Sequence, residues 1–135
     1  MLLRKFMSLV GIGSAKIDLI LDKETYTQGE QITGYFLLKG GLIEQQLKRI
    51  DCDLVKVENG TESMIEATSI LTSRSIESEA ANKIPFSFKL PTSLPISTED
   101  ISYRFKTRLT FTEGVESVDQ DIIQVVEDES EENLG

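Results

Sequence analysis

Tyr103-Arg104-Phe105-Lys106-Thr107-Arg108-Leu109-Thr110-Phe111 alternates without a break. Tyr103, Phe105, Thr107, Leu109 and Phe111 hold one parity, and Arg104, Lys106, Arg108 and Thr110 hold the other. Successive side chains of a strand project to opposite faces, so the stretch reads as a strand with a buried, largely aromatic face. Its wet face carries three bases, about 7 Å apart in succession at the strand rise of roughly 3.3 Å per residue.

The same period extends outward in both directions. Ile123 and Val125 mark a last strand downstream. Upstream, Ile84-Pro85-Phe86-Ser87-Phe88-Lys89-Leu90-Pro91 puts Ile84, Phe86, Phe88 and Leu90 on one face, with prolines near the ends, where a missing N–H does little harm. The stretch from Met64 to Ile76 is rich in Ser and Thr and alternates poorly, as an edge strand does. Asn59-Gly60 before it is the strongest short hairpin signal, because a type I′ turn needs two residues tolerant of positive φ. Ile50, Cys52 and Leu54 alternate with Arg49, Asp51 and Asp53, and then parity flips to Val55 and Val57, which predicts a bulge near Leu54-Val55. Ile32, Phe36 and Leu38 form an earlier strand, in which Gly34 marks a bulge or a close backbone approach. Gln28-Gly29-Glu30 is the turn before it. Ala15, Ile17, Leu19 and Leu21 alternate with Lys16, Asp18 and Asp22 in the first strand. About seven antiparallel strands separated by turn signals make an all-β, immunoglobulin-like sandwich over residues 15–126.

A chain of 135 residues is one domain and can bury a core without metals or disulfides. Residues 1–14 precede the strands. Arg4 and Lys5, the apolar run Phe6 to Ile12 and Gly13-Ser14-Ala15 have the outline of a signal peptide. The run is short and interrupted by Ser8 and Gly11, whereas Leu2, Phe6 and Leu9 share one face at helical spacing. A short helix plugging one end of the sandwich is the expectation. No apolar run approaches the roughly 20 residues that span a bilayer.

The formal charge is −9, and five of the 23 acids lie in the last nine residues, Glu127, Asp128, Glu129, Glu131 and Glu132. Without them the body carries about −4, a sign that disfavours a phosphate polyanion, so nucleic acid is not an expected partner. Residues 127–135 read as a disordered, solvated tail, since charged residues cannot bury enough surface to offset the entropy of ordering them. Truncation after Val126 is expected to leave the thermal melting midpoint nearly unchanged; a marked fall would mean that the tail docks on the body.

No catalytic or cofactor chemistry stands out. The chain has no histidine, which removes Ser-His-Asp and Cys-His catalysis and His-ligated zinc. The single cysteine, Cys52, allows neither an intrachain disulfide nor a CxxC cluster, and its apolar parity makes it a buried, inert thiol. Gly11-Ile12-Gly13 lacks the spacing of a phosphate loop and precedes a strand. Asp119 and Asp121 could share a cation, but two carboxylates make a weak site and an ordinary solvated turn is the better reading. The candidate interaction residues are Arg104, Lys106 and Arg108. They form either a stripe for an acidic or phosphorylated partner, or one side of cross-strand pairs with acids such as Asp18, Asp51 and Asp53.

Three stretches resemble a known family. Tyr26 to Gly34, reading YTQGEQITG, resembles the PGE-x-[IV]-x-G turn and strand of arrestin-type domains, with Gln28 where the proline usually stands. IPFSFKLP from Ile84 to Pro91, with Pro95 following, resembles their IPF-x-F-x-LP segment. Val10-Gly11-Ile12-Gly13-Ser14-Ala15-Lys16-Ile17-Asp18, with Gly40-Gly41 and Ile43-Glu44-Gln45, resembles the bacterial sporulation-control family of stage zero, type M. The likeness runs from about Leu9 to Val126. It implies an arrestin-like sandwich and a cytoplasmic regulatory adaptor that works through protein–protein contacts, without cofactor or catalytic centre. Members of that branch continue into a second arrestin-like domain, and here a run of acids stands where that domain would begin. Two other functions compete: a self-assembling β-module, homodimeric through edge strands, and a secreted adhesion or carbohydrate-binding sandwich. The last would want exposed aromatics, and the chain has no tryptophan.

Overall fold

The computed structural model describes residues 15–72, 74–112 and 116–128. The expected N-terminal helix and most of the acidic tail lie outside them. The described residues form nine strands: β1 (Lys16–Leu21), β2 (Thr25–Thr27), β3 (Gln31–Lys39), β4 (Gln45–Glu58), β5 (Thr61–Leu71), β6 (Ser75–Ile76), β7 (Ala81–Lys89), β8 (Ile101–Phe111) and β9 (Glu116–Val126). β1, β3 and β7 make one sheet in the order β1-β3-β7. The other runs β2-β9-β8-β4-β5, with β6 beside β4. The seven long strands pair antiparallel, as expected, and the short β2 runs parallel to β9. β2 and β6 were not expected from the sequence, because two or three residues are too few to display a period.

Alternation places the core where it was read. Tyr103, Phe105, Thr107, Leu109 and Phe111 are buried on β8. From the facing sheet come Phe36 of β3 and Phe86 and Phe88 of β7. Phe105 meets both β7 rings edge-on, with centroids 5.5 Å away in each case, and Phe86 meets Phe36 at 5.2 Å. These T-shaped contacts knit the two sheets together.

The turns behave as the residues require. Asn59 and Gly60 both have positive φ, at 50° and 81°, in the β4–β5 hairpin. Register slips between Leu54 and Val55, so that both residues are buried. Gly34 pairs with Leu21 where β3 lies close beside β1, and a Cβ there would lie 2.1 Å from the Ile20 carbonyl oxygen.

β4 and β9 extend further than the sequence suggested. Both extensions turn polar residues inward: Gln45 is buried at the start of β4, and Ser117, Asp119 and Asp121 take the inward parity of β9. Asp119 and Asp121 therefore stand within a strand, and the expectation of a solvated turn is corrected. Their role appears at the junction of the two sheets.

Candidate functional site

The three bases of β8 point outward together, as expected, but are not a free cationic stripe. Lys106 pairs with Glu62 of β5 across the intervening β4. Arg108 lies 3.9 Å from Glu116 of β9, and Arg104 donates to the Gln120 side chain at 3.2 Å. Register also sets Asp51 and Asp53 of β4 directly opposite Arg108 and Lys106. Asp51 accepts from Arg49 at 2.8 Å and from Ser69 at 2.5 Å. Burial, and then the neighbouring Asp51, raise the Asp53 carboxyl above its ordinary range, while Arg108 and Lys106 oppose that shift. The face is a lattice of mixed charge. Asp18, named as a possible partner of the stripe, belongs to the other sheet.

Each sheet ends in two edge strands, β1 and β7 in one and β2 and β5 in the other. β2 has three residues and β1 lies against side chains of β9, which leaves β7 and β5 as the long open edges. β7 carries Pro85 and the bases Lys83 and Lys89, which discourage pairing with another chain. β5 has neither proline nor base, and from Ala67 to Leu71 it has no charge. Met64 is 60% exposed and Leu71 77% exposed along it.

The third feature is the seam where β1 meets β9. The N–H groups of Ala15, Ile17 and Leu19 point away from β3 and find side chains instead of a strand. Ala15 donates to Gln45 Oε1 at 2.7 Å, Ile17 to Ser117 Oγ at 3.4 Å and Leu19 to Asp119 Oδ2 at 3.0 Å. Polar residues at alternate positions of β9 thus act as a surrogate strand for β1. Hydrophobic periodicity overlooks them because it expects apolar side chains inward.

Carboxylate oxygens of Asp18, Asp119 and Asp121 lie within 4.8 Å of one another at this seam. Asp121 is half-buried and its Oδ2 has no hydrogen-bond partner. Burial first, then a hydrogen bond with Asp119 and the charges of Asp119 and Asp18, push the Asp121 carboxyl up to about 7. Asp18 is raised by burial and by Asp119, against the pull of Lys39. A hard cation would need six or more oxygens, usually including carbonyls. Here Asp119 accepts the Leu19 N–H and stands beside its two acidic neighbours, so ionising Asp121 would crowd like charges on a partly buried seam.

Cys52 of β4 lies beside Thr107 of β8, 2% exposed, with its sulfur 3.6 Å from Thr107 Oγ1. Burial pushes the thiol up to about 11, which leaves it neutral and unreactive, as its parity implied.

The SpoOM protein family matches residues 3–134 of the sequence. The chain belongs to the SpoOM protein family. The sporulation-control protein spo0M of Bacillus subtilis (strain 168) is 33% identical over 147 residues, an alignment spanning 98% of this chain and 57% of that protein. The crystal structure of Spo0M from Bacillus subtilis superposes with a TM-score of 0.78 at 31% identity, covering 92% of this chain and 57% of that one. The chain therefore spans little more than half the length of these SpoOM relatives. A Niemann-Pick type C2 protein from the Japanese carpenter ant superposes at a TM-score of 0.57 with 8% identity, over 84% of this chain and 93% of that one. That likeness is one of fold alone. The SpoOM membership establishes the arrestin-like sandwich implied by YTQGEQITG and IPFSFKLP.

Proposed function

We propose that the chain is a non-enzymatic regulatory adaptor of sporulation control, acting in the cytoplasm, and that it takes a protein partner along the open edge of β5. The observation that carries this reading is an eleven-residue edge strand that lacks the proline and lysines guarding β7. An extended segment that adds to such an edge gains main-chain hydrogen bonds, and pockets beside it supply specificity. Of the three β8 bases only Lys106 reaches this edge, through Glu62 of β5, while Arg104 and Arg108 turn to Gln120 and Glu116 of β9. A neutral, buried Cys52 and a chain without histidine support a non-catalytic role. Among the described residues no helix is long and apolar enough to cross a membrane.

Self-assembly through the same edge is the second reading, favoured by the uncharged run Ala67 to Leu71. One pair of variants decides. Met64→Lys with Leu71→Lys should keep the stability within roughly half a kcal/mol of the unmodified chain, as exposed positions do. Capture of partner from cells entering sporulation should be lost. A monomer at all concentrations in sedimentation, with capture abolished by the lysines, is the adaptor outcome. Concentration-dependent association abolished by the same lysines would favour self-assembly. Undiminished capture by the folded double variant would remove β5 from either role.

A further inference from the structure

The N–H groups of Ala15, Ile17 and Leu19 are held by side chains, and one of their acceptors, Asp119, stands within a cluster of three carboxyls. Full ionisation of that cluster would set three negative charges within a few ångströms of one another on a partly desolvated seam. Asp121, next in the inward series after Ser117 and Asp119, has an oxygen shut away from water with no donor. We propose that the β1–β9 seam is a proton-held clasp, in which a proton on Asp121, set against the carboxyls of Asp119 and Asp18, keeps β1 against β9 and its loss loosens β1. This inference is independent of the β5 reading, which concerns the opposite end of the larger sheet.

The surroundings leave the cluster without an adequate counter-charge. On β1, Lys16 is exposed and lies across from Lys39 of β3, and only Lys39 acts to lower Asp18. After β1, Lys23 and Glu24 rim the depression beside Asp121 and Ile122, and Lys23 is already paired with Glu30. From β4 the neutral Cys52 thiol faces the cluster, and from β8 the hydroxyl of Thr107 is engaged with its sulfur. With no histidine in the chain, no imidazole titrates in the same interval.

The sign follows from the raised carboxyl. Asp121 in the closed seam keeps its proton up to about 7, whereas the ordinary aspartate value is 3.8. Between those values the closed state binds more protons than the open one. The stabilisation is therefore complete below the ordinary aspartate range, is lost as pH rises, and is gone above the closed-state value.

Amide hydrogen exchange on the 135-residue chain reads the clasp directly at Ile17 and Leu19. After correction for intrinsic exchange, their protection should fall as pH rises from about 5 to about 7, with a limiting slope of tenfold per pH unit, and then level off. Amides of Val57 and Ile70, on β4 and β5 at the far side of the larger sheet, serve as controls. In Asp121→Asn, which keeps the shape without the titration, the fall should vanish. Asp18→Asn, at an exposed position, should flatten it and serves as the test if Asp121→Asn does not fold. Protection at Ile17 and Leu19 that is independent of pH in the unmodified chain would overturn the proposal. So would a slope that persists in the folded Asn variants. Restoration of protection at about pH 8 by Ca2+ or Mg2+, reversed by a chelator and absent from the Asn variants, would replace the proton clasp with a cation site.

Discussion

Phe105→Ala is expected to cost about 3–5 kcal/mol, the range for emptying a large buried aromatic site. Phe105 is 1% exposed and joins the sheets, with Phe86 and Phe88 packed edge-on against it at 5.5 Å. Truncation removes two aromatic contacts, each worth roughly 0.5–1.5 kcal/mol, and leaves a cavity that the two β7 rings cannot fill without leaving their strand. Phe105→Leu should cost distinctly less, since it keeps most of the volume. Lys106→Ala, one residue on, should stay within about 0.5 kcal/mol, because it forfeits only the surface pair with Glu62. Chemical denaturation of the three variants measures all of this. Equal losses at 105 and 106 would contradict the facing of β8.

That facing was legible because β8 lies between β9 and β4 with one face on the core and one in solvent, the situation in which alternation is unambiguous. Asn59-Gly60 and the slip at Leu54-Val55 were legible for a related reason: each is a local backbone event written in two adjacent residues. The seam was not. Ser117, Asp119 and Asp121 look solvent-facing by composition, yet they turn inward because the edge of β1 needs acceptors and no strand supplies them. Gln45 hid the start of β4 in the same way. Which acids meet the β8 bases was also beyond the sequence. Asp18, Asp51 and Asp53 share a parity, but only the sheet order separates Asp18 from the others and brings Glu62 and Glu116 to Lys106 and Arg108. Parity fixes a face within one sheet; it says nothing of which sheet.

Gly34→Ala should destabilise by about 3 kcal/mol or more, the upper end of overpacking costs, although it adds a single methyl. The added carbon would stand 2.1 Å from the Ile20 carbonyl oxygen and 3.0 Å from the Leu21 Cα. Both obstacles are backbone, so no rotamer change relieves the contact, and β1 must move off β3. The glycine that ends the YTQGEQITG motif is thus required by the close approach of two paired strands, since its φ lies outside the left-handed region. Gly60→Ala gives the contrast. Nothing lies within 4 Å of its added Cβ, but its φ is +81°, so only the left-handed conformation is penalised, at about 1 kcal/mol. Thermal and denaturant melts of the two variants separate a steric cost from a conformational one. The loss at Gly34 should also appear first as faster amide exchange along β1, because displacement of that strand pulls Ile17 and Leu19 from Ser117 and Asp119. A Gly34→Ala chain as stable as the unmodified one, or one destabilised no more than Gly60→Ala, would show that β1 and β3 are not pressed together at this point.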